Sequence, residues 1–167
     1  FWQDEADAVL WVGCTPPPLK YFSFRSYVFD LADPLDVVFA SLGDSANDLV
    51  FNTTTGKPDN STTALMSLSD AGTQRLLTNA LEKAGFPLNA VNLDVIPSSI
   101  LPKLGRDPLT NDGLLMLTRV ALFEDSAAGD AYKNSTWPVY FLFAPDGTGK
   151  EPLPVPPQRP RGTGKTE

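Results

Sequence analysis

Residues 63 to 95 read TALMSLSDAGTQRLLTNALEKAGFPLNAVNLDV. The apolar run at 63–68 predicts a strand. Asp70 then sits where a helix N-cap is needed, and Leu76, Leu77, Ala80, Leu81 and Ala84 form one apolar stripe at helical spacing. Gly85 and Pro87 stop the helix. Val91, Leu93 and Val95 alternate with Asn92 and Asp94 before Pro97, which predicts a second strand. A strand, a helix and a strand in that order favour a sheet with a helix packed on its face, joined by a right-handed crossover if the strands are parallel.

The pattern extends outward from this unit. Residues 21–31 alternate aromatic and polar side chains, Phe22 and Phe24 against Ser23 and Arg25, and predict a strand. Asp33-Pro34 then resembles an N-cap followed by a first helical position, with Leu35, Val38, Phe39 and Leu42 on one helical face, so residues 35–42 are expected as a short helix ending at Gly43. Val37-Val38-Phe39 read as a strand is the competing assignment, on β-branched content. Val50-Phe51 is expected as a short strand entering the polar loop 52–60. Residues 114–123 are nearly all apolar and read as a central strand; residues 126–133 follow as a short helix and 139–144 as a last strand. The fold class expected is α+β: a mixed β-sheet with helices on one face and ferredoxin-like strand-helix-strand repeats. Residues 1–150 are expected as one domain, and 151–167, with Pro152, Pro154, Pro156, Pro157 and Pro160, as an extended Pro-rich tail or linker. That tail should lie against the body or against another segment or chain of the same precursor.

Composition excludes several functions. The 167 residues carry a net charge of −7, which repels phosphate, so nucleic acid is not an expected partner. No stretch approaches the ~20 apolar residues of a membrane-spanning helix. With no histidine, neither a Ser-His-Asp or Cys-His triad nor a His-ligated zinc site can be assembled within this chain. The lone Cys14 cannot form an intrachain disulfide; it is a buried thiol or one half of an interchain disulfide. The first residues, Phe1-Trp2-Gln3-Asp4-Glu5, show neither Met nor a signal peptide, which reads as a processed N-terminus.

No cofactor motif is complete. Gly162-Thr163-Gly164-Lys165-Thr166 lacks the upstream glycine of a phosphate-binding loop, where Arg159 stands, and Gly147-Thr148-Gly149-Lys150 is followed by Glu151 instead of a hydroxyl residue. Asp70, Asp94, Asp112, Glu124 and Asp125 follow no calcium-loop spacing and read as solvated caps and turn residues, so no metal is expected. Trp2, Trp11, Tyr21, Phe22, Phe24, Tyr27 and Phe29 form either core or an aromatic ligand platform, with core the default for an alternating strand. Asn52-Thr53-Thr54, Asn60-Ser61-Thr62 and Asn134-Ser135-Thr136 are N-glycosylation acceptors in expected loops, which favours a secreted or otherwise extracytosolic chain. Gly43-Asp44-Ser45 is similar to the first block of SGNH-type esterases, in which the serine is the nucleophile; the required histidine would have to come from another segment.

Cys14-Thr15-Pro16-Pro17-Pro18, Tyr21-Phe22-Ser23-Phe24, Ser41-Leu42-Gly43-Asp44-Ser45, Asn92-Leu93-Asp94-Val95-Ile96-Pro97-Ser98, Arg119-Val120-Ala121-Leu122-Phe123 and Arg161-Gly162-Thr163-Gly164 together resemble a family of predicted secreted proteins from microbial and algal genomes. That family has no assigned activity. The resemblance implies secretion and a longer processed protein with a further segment after the glycine-rich tail. Two functional expectations follow: a non-enzymatic extracytosolic binding or assembly domain, or one chain of a two-part hydrolase with Ser45 as nucleophile beside Asp44.

Overall fold

The unit at 63–95 folds around its cap. Asp70 accepts the Thr73 backbone N–H at 2.7 Å, which satisfies one of the orphan amides of the first turn. The computed structural model describes residues 1–99, 102–135, 137–145 and 148–159. In chain order its elements are β1 (Ala8–Cys14), β2 (Leu19–Ala32), β3 (Leu35–Ser41), β4 (Ala46–Asn47), β5 (Thr62–Leu68), α1 (Ala71–Lys83), a 3-10 turn at Leu88–Ala90, β6 (Val91–Val95), β7 (Gly113–Phe123), α2 (Ser126–Lys133) and β8 (Val139–Leu142). The chain is α+β.

Two sheets result. The first has the order β6-β5-β1-β8; β5 and β6 are parallel from Ala64 opposite Val91 to Leu68 opposite Val95, while β1 runs antiparallel to both β5 and β8. This sheet is mixed. The second is antiparallel, with β2 at its centre, β7 along one side, and β3 and β4 along the other. The first strand-helix-strand segment therefore lies within one sheet, whereas β7 and β8, which flank α2, belong to different sheets.

Core side chains fill both faces of the mixed sheet. On one face Leu10, Met66 and Leu68 pack against Leu77 and Leu81 of α1. On the other, Trp11 and Leu65 meet Phe22, Phe24 and Phe51, joining the two sheets. The dense aromatics of β2 are thus largely core, as alternation suggests; Tyr21 and Phe29 are the exceptions and are exposed, as is Trp2 ahead of β1.

Four expectations are corrected. Residues 35–42 form strand and not helix: Asp33-Pro34, joined by a cis peptide, make the two-residue turn of a β2–β3 hairpin in which Ala32 pairs Leu35. The Asp-Pro chemistry that suits a helix start equally suits a turn, and pairing with β2 decides between them. Val50 and Phe51 lie in and just after a turn, where both amides donate to the Asn47 carbonyl at 3.0 Å. Among the described residues the apolar strand at 114–123 is an edge strand paired to β2 alone, so only its first residues, Gly113 and Leu114, are buried. The last strand ends at Leu142, before the expected 144.

The Pro-rich segment lies against the body as far as Arg159. Ala71 N–H donates to the Glu151 carbonyl at 2.8 Å and Leu153 N–H to the Ser69 carbonyl at 2.7 Å. Pro160, Thr136, Gly147 and the glycine-rich run at 161–167 lie outside the described residues.

Candidate functional site

Two of the cavities among the described residues open between these layers. The first, of about 390 Å³, lies where Val28 of β2, Ala40 and Ser41 of β3, and Leu93 and Val95 of β6 meet the strap Val155–Gln158. Gly43 and Asp44 form its rim, and the strap is pinned there. Arg159 donates its backbone N–H to the Asp44 carboxylate at 2.6 Å and its guanidinium to the Ser45 carbonyl.

Beneath the rim is a buried polar cluster. Asp94 accepts from the Arg25 guanidinium at 2.6 Å, from the Ser26 hydroxyl at 2.5 Å and from the Ser67 hydroxyl at 3.1 Å. Only 7% of the Arg25 side chain and 2% of the Asp94 side chain are exposed. Arg25 also donates to the Asp44 carbonyl at 3.2 Å, while its Nε is buried without a partner among the described residues. Gly43 is required here. Its φ is +143°, and a Cβ would stand 2.7 Å from Arg25 Nη2. Burial pushes the Asp94 carboxyl up from its ordinary value, with Arg25 and the two serines opposing. The polar groups under this cavity are committed to holding β2, β5 and β6 together.

The second cavity is different in kind. It encloses about 340 Å³ between Trp11 and Phe24 on one side and Met116, Tyr132 and Trp137 on the other. The aromatic rings form a chain: Phe24 to Trp11 at 4.7 Å, Trp11 to Trp137 at 5.8 Å and Trp137 to Tyr132 at 4.4 Å between centroids. Gly13 lets the two indoles approach, since a Cβ there would lie 2.7 Å from the Trp11 ring and 3.0 Å from Trp137. The Tyr132 hydroxyl donates to the Cys14 carbonyl at 3.3 Å. Burial, and then the neighbouring Cys14, push its phenol up, so Tyr132 stays neutral in water at any ordinary pH. Thr118 and Lys133 supply polar groups to the lining. A preformed, mostly apolar pocket with a few polar groups is the usual form of a small-molecule site.

The residues singled out from sequence fall in several places. Asp44 and Ser45 lie at the strap, in a strand-to-strand connection: β3 enters Gly43-Asp44-Ser45 as a nucleophile block requires, but β4 follows where such a block needs a helix. Cys14 is exposed, not buried, with Sγ 3.9 Å from Thr62 Oγ1. Asn52, Asn60 and Asn134 are all exposed. Asp70 and Asp125 are helix caps, as their positions suggest, though Asp70 is buried. Asp94 is neither solvated nor a cap, because β6 is covered and its polar alternate faces Arg25 and not water. Asp112 is buried as well, and accepts the Ala32 and Lys103 amides at 3.0 and 2.7 Å. Tyr132, Trp137 and Met116 carried no sequence signal, since they converge from a helix, a connection and an edge strand.

No family model matches the chain, and comparisons with curated proteins and with solved structures find nothing similar.

Two further carboxylates tie the chain ends to the body and set its acid sensitivity. Burial alone would push Asp7 up, but the Arg106 guanidinium at 2.6 Å and the amides of Asp4 and Ala144 more than reverse this and hold its carboxyl below 3.8. Asp70 is held down in the same way by the Glu151 and Thr73 amides against its burial. A carboxylate depressed in the folded state stabilises it above the unfolded pKa and loses that contribution as pH falls through the folded one. The stability gap between the parent and Asp7→Asn should therefore be full above about pH 5 and shrink steadily below it. Urea midpoints at pH 7, 5, 4 and 3 measure this.

Proposed function

We propose that this chain is a non-enzymatic, extracytosolic binding or assembly domain of a longer protein, with the aromatic cleft as its ligand seat. The observation that carries the reading is the cleft itself: an open cavity of about 340 Å³ walled by Trp11, Phe24, Tyr132 and Trp137. Such walls favour an uncharged ring, whether apolar or a sugar presenting C–H groups, over an anion that the net charge of −7 would repel. The contrast with the strap cavity supports it, since the ionisable groups there are already paired with one another.

Secretion is supported by the three exposed acceptor asparagines. Asn60 donates its amide to the Pro16 carbonyl, Asn52 sits beside Asn92 at the start of β6, and Asn134 ends the helix that brings Tyr132 to Cys14. Glycans at all three would crowd the end where β5 begins and leave the strap end bare. The exposed Cys14 lies at the same end and is accessible for an interchain disulfide.

Titration of the purified chain with benzyl alcohol, cyclohexanol and methyl glucoside, followed by tryptophan fluorescence and indole NMR shifts, tests the reading. Saturable shifts at Trp11 and Trp137 support it. Absence of any shift up to solubility, or turnover of ester substrates by the single chain, would sink it. The rival two-part hydrolase is favoured by one observation, the entry of β3 into Gly43-Asp44-Ser45 at the rim of a cavity. Esterase activity of the whole protein that disappears in Ser45→Ala would establish it instead.

A further inference from the structure

The β2–β3 hairpin carries side chains that neither cavity uses. Phe29, Val37, Val38 and Phe39 are 40%, 64%, 38% and 44% exposed. They are held in place: Phe39, at φ +48°, stacks on Tyr27 with centroids 4.9 Å apart and meets Phe29 edge-on at 6.2 Å. The register shifts between Val28 and Asp30, so that Val38 and Phe39 together oppose Phe29. A rigid apolar surface of this kind, on a hairpin extending from the strap end of the molecule, marks a contact surface more than a packing defect.

β3 is also an edge strand. Among the described residues it pairs with β2 alone, leaving its outer row of amides and carbonyls open along Leu35–Ser41. Edge strands are normally protected by charges, Pro or a bulge; β3 contains no Lys or Pro, and the one charge within it is Asp36, beside the bulge at Val38 and Phe39. From Ser26 to Gly56 the chain holds five aspartates, Asp30, Asp33, Asp36, Asp44 and Asp48, and no Lys or Arg. Cations do approach from elsewhere: Arg119 lies over the Tyr27 ring at 5.4 Å and Arg159 reaches Asp44. Neither lies on the hairpin. The edge of β8 is comparably exposed, but residues 134–145 carry no charge, so nothing there selects a partner.

We propose that β3 is the receiving edge for an extended segment of a partner protein whose side chains alternate apolar with basic. Strand addition would satisfy the free backbone groups; on one face of β3 Val37 would meet the apolar side chains, and on the other Asp36 would pair with a basic one, with Asp33 at the turn adding to the attraction. A second copy of this chain is a poor occupant, because it would bring the same aspartates against these. The surface is independent of the aromatic cleft, so the two readings fail separately.

The probe is the peptide Ac-Val-Lys-Val-Thr-Val-Lys-Val-NH2, with its Glu-for-Lys counterpart as control. The full chain should bind the cationic peptide at least about tenfold tighter than the acidic one, with affinity falling as salt rises. Amide exchange of residues 36–38 should slow on binding. The exposed double variant Asp36→Lys/Val38→Lys, which places gatekeeper lysines on the edge, should lose the preference while its denaturation midpoint stays near that of the parent. Equal binding of both peptides, protection mapped to β7 or β8, or unchanged affinity in the variant would overturn the proposal. So would self-association of the parent abolished by Val38→Lys, which would make a second copy the occupant.

Discussion

Replacing Asp94 by alanine should cost about 3–5 kcal/mol of folding stability. The magnitude comes from what the substitution leaves behind. Arg25 would keep a buried cation whose remaining contact is the Asp44 carbonyl at 3.2 Å, with its Nε already unpartnered. Ser26 and Ser67, whose hydroxyls lie 2.7 Å apart, could still bond to each other, so the loss centres on the uncompensated charge. Urea denaturation followed by far-ultraviolet circular dichroism reads the free energy directly; for a chain of this size the thermal midpoint should drop by on the order of 10 °C. The matched test is the double variant Arg25→Met/Asp94→Leu. Removing both charges together should recover most of the loss, because a buried ion pair adds little net stability over well-packed apolar side chains. A single-variant cost below about 1 kcal/mol would mean that the Arg25 guanidinium escapes to water.

This ion pair also shows where local sequence patterns stop being informative. Both partners occupy the polar phase of an alternating strand, Arg25 between Phe24 and Ser26 and Asp94 between Leu93 and Val95, and that phase ordinarily faces water. Here it does not, because β2 is central to its sheet and is buried without interruption from Phe22 to Val28. Local patterns did specify the elements that close on themselves. The β5–α1–β6 unit is legible because its cap, stripe and stop signals all lie within 33 consecutive residues, 63–95, although of the stripe only Leu77 and Leu81 are buried while Leu76, Ala80 and Ala84 are exposed. The β2–β3 hairpin was not, since Asp33-Pro34 satisfies both helix-start and turn chemistry and only the long-range pairing separates them. β1 is equally illustrative. Its run Ala8–Cys14 is closed by Pro16-Pro17-Pro18, yet nothing local shows that it is the strand that unites β5 with β8 and supplies Trp11 to the cleft. The cleft assembles from four separated segments, and no window of sequence contains them.

The two tryptophans of that cleft should respond differently to truncation, and the difference separates fold from function. Trp11 is 3% exposed and lies between the sheets against Phe24 and Leu65. Trp11→Ala should therefore cost about 3–5 kcal/mol through lost burial and the void left behind. Trp137 is only partly buried and packs against that cluster from outside, so Trp137→Ala should cost at most about 2 kcal/mol. If the cleft is a ligand seat, the milder variant carries the functional loss: Trp137→Ala should stay folded at 25 °C yet lose ring-ligand binding by about tenfold or more, because one wall of the aromatic chain is gone. Equilibrium denaturation gives the first quantity and ligand-induced Trp11 indole shifts the second. Equal destabilisation by the two substitutions would make Trp137 part of the core, and undiminished ligand binding in Trp137→Ala would place the ligand elsewhere. The expected split follows from position alone: Trp11 is fixed by β1 inside the sandwich, whereas Trp137 lies in the connection between α2 and β8, where a side chain can face a ligand without carrying the fold.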